Sequence, residues 1–301
     1  MIRRFIARIA AISVPVLLLL GATTLHARAE KAEVLRFRHT ASDKARYDFS
    51  LSSRVHATEE SGEIVRAEIR IQMSCAAEFL KKAASGDWGV TGQILSGFMI
   101  VKSKGEEGRL DLGGLEEKYI VSPLGEIKER RHIAGQPPML QYVGSNLVLG
   151  PLDAFLLGGA AMLPEKPLRR GDTWKGIALL PGISPGQTEQ VPYESVLLGE
   201  ERFRGTLCQK IKTSRTAVLE ETIQSPDGPD EVHVKLKISG QDTWLFDPQR
   251  GLIMFSAGTH DVVVTTTITR NSQDIGSASA TGVVNTRSVL TEFNGVKLSD
   301  Q

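Results

Sequence analysis

Cysteine is scarce in this chain, and the scarcity sets the first limits. Cys75 and Cys208 are the only two in 301 residues. A disulfide-dense scaffold and a cysteine-built zinc site are therefore excluded. One bridge remains open in an oxidising compartment, where closing so long a loop is worth ~4–5 kcal/mol in the chain-entropy model. The alternative is two separate buried thiols behaving as small hydrophobes. Histidine clusters are missing too: the six at 26, 39, 56, 132, 233 and 260 have no ligand-like spacing among themselves or with the cysteines, so no metal site can be read. No glycine-rich phosphate loop precedes a helix, which removes the usual nucleotide-binding reading, and no cofactor is expected.

A catalytic constellation is equally lacking. His260 and Asp261 are neighbours on a strand, so they point to opposite faces and cannot pair with each other. Gly182-Ile183-Ser184-Pro185-Gly186 matches G-x-S-x-G in form only. A nucleophile elbow needs a strand before the serine and a helix after it, and here Pro181 and Pro185 flank the serine. The expectation is a protein that is not an enzyme.

Excess charge of one sign is absent as well, with 36 Lys+Arg against 35 Asp+Glu. The first 29 residues contribute four of those bases and no acid, so the rest carries 32 bases against 35 acids, net −3. A mildly acidic, well-mixed chain argues against nucleic acid and against a polybasic membrane patch. The longest apolar run, Ile9–Leu20, falls short of the ~20 residues of a membrane span. With Arg3, Arg4 and Arg8 before it and Ala27-Arg28-Ala29 after it, the run reads as a signal peptide over 1–29, cleaved before Glu30. The leucine-rich core fits the general secretory route, and Arg3-Arg4-Phe5 leaves the twin-arginine route open. The mature chain, with no stable membrane span, is then periplasmic or extracellular.

What the chain does have is alternation. Tyr47, Phe49, Leu51 and Val55 share one face against Arg46, Asp48, Ser50, Ser52 and Arg54, and Val65, Ala67, Ile69, Ile71, Met73 and Cys75 continue it after a turn. Period two over this length is a hairpin with one wet face. Ser74–Gly86 has the capping serine, the Phe79-Leu80-Ala83 stripe and the closing glycine of a short helix. Later, Val232, Val234, Leu236 and Ile238 alternate cleanly, and Leu252–Thr269 is apolar on both faces. Strands this long favour a curved sheet or barrel wall. Between the two sheet regions, Tyr142–Met162 contains Asp153 as its only charge, with Gly150-Pro151 breaking it and a helix expected from Pro151 to about Ala161. Such a segment is a buried helix on the sheet or a lid over an apolar cavity.

Leu163–Trp174, L-P-E-K-P-L-R-R-G-D-T-W, is the most constrained run. Pro164 and Pro167 fix φ and remove donors, Gly171-Asp172 is a turn signal, and Trp174 can anchor the chain. It reads as a rigid extended tie joining two half-sheets. The run resembles the LP-x-KP-V-x-x-GDTW signature of a family of exported bacterial proteins of unknown function, with Leu168 where that signature has valine. Trp244-Leu245-Phe246-Asp247-Pro248 resembles the same family's later aromatic-Phe-Asp turn. The resemblance brings no chemistry with it. At fold level the pattern is similar, by analogy only, to the open half-barrel periplasmic lipoprotein carriers.

Together these features imply a mainly β protein: a curved antiparallel sheet or half-barrel of two similar halves with a short helical apolar insert. Residues 30–301 read as one β-rich domain, with half-sheets at 30–133 and 191–301 and the insert and tie at 134–190. The expected function is binding or carrying an apolar or lipid ligand, the alternative an envelope scaffold that binds a partner without a ligand. Leu147, Leu149, Phe155, Leu156, Leu157, Trp174, Trp244 and Phe255 are the candidate ligand or lid residues. N-terminal sequencing of exported protein should begin at or next to Glu30; retention of residues 1–29 would refute the signal-peptide reading.

Overall fold

The computed structural model describes residues 32–58, 64–134, 139–142, 145–148, 162–181, 188–224, 230–271 and 273–298. Described strands of the first half are β1 (Lys44–Thr58), β2 (Ile64–Lys82), β3 (Trp88–Ser103), β4 (Glu106–Asp111), β5 (Glu116–Val121) and β6 (Ile127–Ala134). A separate hairpin pairs β7 (Met139–Tyr142) with β8 (Ser145–Val148). The second half holds β9 (Thr173–Pro181), β10 (Thr188–Phe203), β11 (Thr206–Gln224), β12 (Glu231–Asp247), β13 (Leu252–Arg270), β14 (Gln273–Phe293) and β15 (Val296–Lys297).

Thirteen strands form one antiparallel sheet in the order β6-β5-β3-β2-β1-β14-β13-β12-β11-β10-β9, with β4 on β3 and β15 on β14. The sheet is not closed into a barrel, since β6 and β9 end the path without pairing to each other. Each half is a meander, as tight turns between alternating segments dictate. The halves meet where the first strand meets the last: β1 pairs β14 from Ala45↔Phe293 to Thr58↔Ser279.

Two helix expectations fare differently. Residues 74–82 are the continuation of β2, not a helix: Cys75, Ala77 and Phe79 keep the inward alternation and pair across to β1 and β3. The capping serine and small residues permitted a helix, but two flanking strands supplied the backbone partners and the alternation prevailed. Among the described residues there is no helix. The helix expected over Pro151–Ala161 lies outside them, and the part of the insert that is described, Ser145–Val148, is a strand.

The tie is extended, as its prolines require; it starts on the β5–β6 turn of the first half, where Leu163 N donates to Leu124 O, docks on β10 of the second, and delivers the chain to the far edge strand β9. Gly171, at φ 86°, lets the turn form: Asp172 N donates to Arg169 O at 3.0 Å and Arg169 N to the Asp172 carboxylate at 2.8 Å. Gly171 N and Leu197 N then dock the turn onto β10 at 2.7 and 3.0 Å, to Leu197 O and Asp172 O. Trp174 donates its indole N–H to Met162 O at 2.8 Å, and the Tyr193 hydroxyl shares that carbonyl at 3.0 Å. Leu163, Leu168, Trp174, Tyr193, Leu197, Ile211, Trp244 and Phe246 pack with Leu35 in one cluster.

Leu35 belongs to an extended strap, residues 34–39, that ends in a turn over 40–43 and onto which both halves converge. Phe37 N donates to Pro123 O of the β5–β6 turn at 2.9 Å, and Arg38 N to Gly251 O of the β12–β13 turn at 3.4 Å. The Arg36 guanidinium donates to Pro164 O at 2.8 Å and Glu165 O at 2.7 Å, and Leu163 N reaches Leu124 O at 2.8 Å. Gly251 has φ 67°, and a Cβ there would stand 2.1 Å from Arg38 N, so this turn tolerates no side chain at the crossing. Asp247 holds the same turn by accepting from Gln249 N at 2.8 Å and Arg250 N at 3.1 Å.

Both cysteines are buried and free, in different clusters: Cys75 with Phe49, Ile71 and Met73, Cys208 with Leu245 and Met254. Burial, assisted by Asp48, pushes the Cys75 thiol up to about 12, and burial with Asp247 pushes Cys208 up to about 11.

Trp174→Ala is expected to cost ~3–5 kcal/mol, as deletion of buried aromatics does, read as a lowered denaturation midpoint; an unchanged midpoint would show that the tie is not anchored there. His39 of the strap stacks on Phe79 at 3.5 Å between centroids, and its Nδ1 is buried with no partner among the described residues. Burial lowers its pKa from 6.5 to about 4, against the pull of Asp43. Between these values the unfolded chain binds the proton more tightly, so this stability is present above pH ~6.5 and lost as pH falls toward ~4. His39→Phe should flatten the pH dependence in that window by up to ~3 kcal/mol; an identical profile in both proteins would refute it.

Candidate functional site

The register aligns one continuous cross-strand row from β9 to β3: Trp174, Ser195, Thr213, Asp242, Gly258, Thr286, Leu51, Ile71 and Met99. The next row on the same face is Gly176, Tyr193, Arg215, Gly240, His260, Val284, Ser53, Ile69 and Val101. In the first row Ser195, Thr213, Asp242, Gly258 and Thr286 separate Trp174 from the apolar Leu51, Ile71 and Met99; in the second, Arg215, Gly240 and His260 lie between Tyr193 and Val284. A polar belt thus crosses β10 to β13, with Trp244, Ile211 and Phe246 on one side of it. On the other side are Ala217, Leu219, Val234 and Leu236.

At the centre of the belt Asp242 bridges a guanidinium and an imidazole. One carboxylate oxygen accepts from Arg215 Nη2 at 2.6 Å, and the other lies 3.0 Å from His260 Nε2. The side chains are 8%, 4% and 13% exposed for Arg215, Asp242 and His260, so this is a buried pair with a histidine attached. Two glycines make the room. A Cβ on Gly258 would sit 2.0 Å from Asp242 Oδ1, and one on Gly240 would sit 2.4 Å from His260 Nδ1. That Nδ1 is buried and has no partner among the described residues. Beside the trio, Ser195 and Thr213 share a 2.8 Å hydrogen bond, and the fully buried Trp244 donates its indole N–H to Thr213 Oγ1 at 3.0 Å.

Chemically the trio resembles an oriented Asp–His pair, but its outer nitrogen faces the Gly240 backbone instead of a nucleophile. Among the described residues no group of three or more His, Cys, Asp or Glu is placed to hold a metal ion. The arrangement fixes the register of β11, β12 and β13, because a one-residue slip would leave a buried charge unpaired. Sequence reasoning correctly separated His260 from Asp261 but missed Asp242. Its trace in the sequence is slight, a glycine two residues from each charged partner, Gly240 by Asp242 and Gly258 by His260, and nothing there shows that the two strands are neighbours.

Of the candidate ligand residues, Trp174 and Trp244 come together in the cluster under the tie, and Trp244 is fully buried. Phe255 is apart from them, 5.5 Å from the Phe203 ring and under the Arg287 guanidinium at 5.7 Å. Leu147 is on β8 of the separate hairpin. Leu149, Phe155, Leu156 and Leu157 lie outside the described residues, as does the G-x-S-x-G match at 182–186.

The chain matches no family model and no curated protein. Among solved structures it aligns with a chain described as "Lipid-protein interactions in lipovitellin", at 10% identity and a TM-score of 0.48. The alignment covers 88% of this chain and 26% of that one, so the chain spans about a quarter of its length.

Asp242→Ala should destabilise the protein by ~3–5 kcal/mol by removing the carboxylate that buried Arg215 and His260 share, whereas Arg215→Met combined with Asp242→Leu should recover most of that loss. Urea midpoints decide it; a neutral single variant would show the trio to be hydrated and without structural weight.

Proposed function

We propose that this protein is an exported, non-catalytic binder or carrier of an apolar or lipid ligand. The observation that carries the reading is that the apolar face of an unclosed thirteen-stranded sheet is divided into clusters that do not merge. Phe49, Leu51, Ile69, Ile71 and Met73 belong to the first half, and Val191, Leu219, Val234 and Leu236 to the second, with no residue in common. A wide sheet with one apolar face must roll on itself, carry a second layer or take up an apolar guest. The two remaining clusters include Leu35 of the strap, Leu163, Leu168 and Trp174 of the tie, and Phe79, on which His39 stacks. Phe49, Ile71, Val191 and Val234 of the outer clusters are buried within the chain, so a guest enters only if this face opens, and the nearly uncharged segment 142–162 is the candidate cover that would move. Export rests on the pattern of residues 1–29.

Native mass spectrometry of gently purified protein should show a co-purifying apolar mass that organic extraction removes. A fluorescent fatty-acid analogue should then bind the stripped protein, with affinity reduced by Leu236→Gln at unchanged fold. A ligand-free mass together with no uptake of the analogue would overturn the reading and favour a scaffold with a solid interior.

A further inference from the structure

We propose that the opposite, polar face of the sheet carries an anion-binding trough that takes a phosphate-bearing group, either a soluble phosphomonoester or the phosphate of a lipid headgroup. This goes beyond the apolar-ligand reading and does not rest on it. The trough measures about 620 Å³ and runs across β3, β2, β1 and β14. Its shape follows from the register. Phe98, Gln72, Ser50 and Arg287 form one cross-strand row on this face, with short side chains in the floor and long ones at the two walls. Three strand spacings separate the walls, ~14 Å, wide enough for a phosphate and part of the alcohol it esterifies.

The charge of the lining departs from that of the protein. Arg109, Arg204 and Arg287 line it with Asp48, and Asp111 pairs with Arg109 from outside, giving three positive charges against two negative in a chain whose totals nearly cancel. The arginines are anchored by the residues around them. Arg109 lies over the Phe98 ring at 4.4 Å with Nε 3.3 Å from Asp111, and Arg204 donates to Leu290 O at 2.8 Å. Arg287 lies over Phe255, and among the described residues no carboxylate is within ion-pair distance of it. A guanidinium stacked on a ring keeps its N–H edge for an oxyanion, and its forked donors match phosphate geometry. The balance of three arginines against Asp48 and Asp111 is +1, which favours an anion, and forked donors on both walls suit the several oxygens of a phosphate better than a single carboxylate. Asp48 and Ser50 are placed to bond hydroxyls of the alcohol portion.

The test uses the purified protein with three probes: inorganic phosphate and glycerol 3-phosphate by calorimetry, and phosphatidylglycerol against phosphatidylcholine vesicles by co-sedimentation. Arg109→Gln and Arg287→Gln should each weaken binding about tenfold or more. Lys235→Gln, on β12 away from the trough, should leave it unchanged, and melting curves should show all variants folded. Soluble-phosphate binding lost in the arginine variants identifies a small-molecule ligand, while vesicle binding alone, lost in the same way, identifies a headgroup. Absence of binding to every probe, or binding that the arginine variants retain or that Lys235→Gln weakens equally, overturns the proposal.

Discussion

The pairing of β1 with β14 is the constraint on which the rest of this protein depends. Two meanders that would each be a modest sheet become one because the first strand and the last are hydrogen-bonded neighbours from Ala45↔Phe293 to Thr58↔Ser279. The entropy of bringing these ends together is large but grows only slowly with the length of chain between them. A long ladder of backbone bonds and cross-strand contacts offsets it. Once the seam is set, the rows of one face run from β9 to β3, and the division into apolar and polar regions follows from register alone.

The strap and the tie are a second, dependent layer of organisation. Neither pairs as a strand of the large sheet along its length, yet between them they satisfy carbonyls at both turns, bury Leu35, Leu163 and Leu168, and bring the β5–β6 turn to the β12–β13 turn. The residues that stand out as a motif are accounted for by this work. Gly171 supplies a left-handed turn, Asp172 caps it, Trp174 fills the cluster, and Asp247 closes the facing turn. A motif with structural duties at each position need not mark a chemical site.

The two faces are then free to differ. On one, a polar belt centred on Asp242 interrupts apolar surface and locks β11, β12 and β13 in register. On the other, alternation places serines and glutamine in a floor between arginine-bearing walls. The same period-two pattern generates both, since each strand writes one face with its odd residues and the other with its even ones.

The strand-rich fold, the long hairpins, their turns at Lys104-Gly105 and Ser122–Gly125, and the extended character of the tie were legible in the amino-acid order, because alternation, proline and glycine act over a few residues. Residues 74–82 were misread because small residues and a serine satisfy helix rules locally, and only the flanking strands decided otherwise. The seam between β1 and β14, the far-edge destination of the tie, and the meeting of Arg215, Asp242 and His260 could not be read at all. Each depends on which strand lies beside which, and a chain of antiparallel segments is compatible with many orders until long-range pairing selects one. Sequence determined what every strand would show on each face; tertiary structure decided which faces would be neighbours, because charge pairing, close glycine contacts and buried clusters form between strands and not along them.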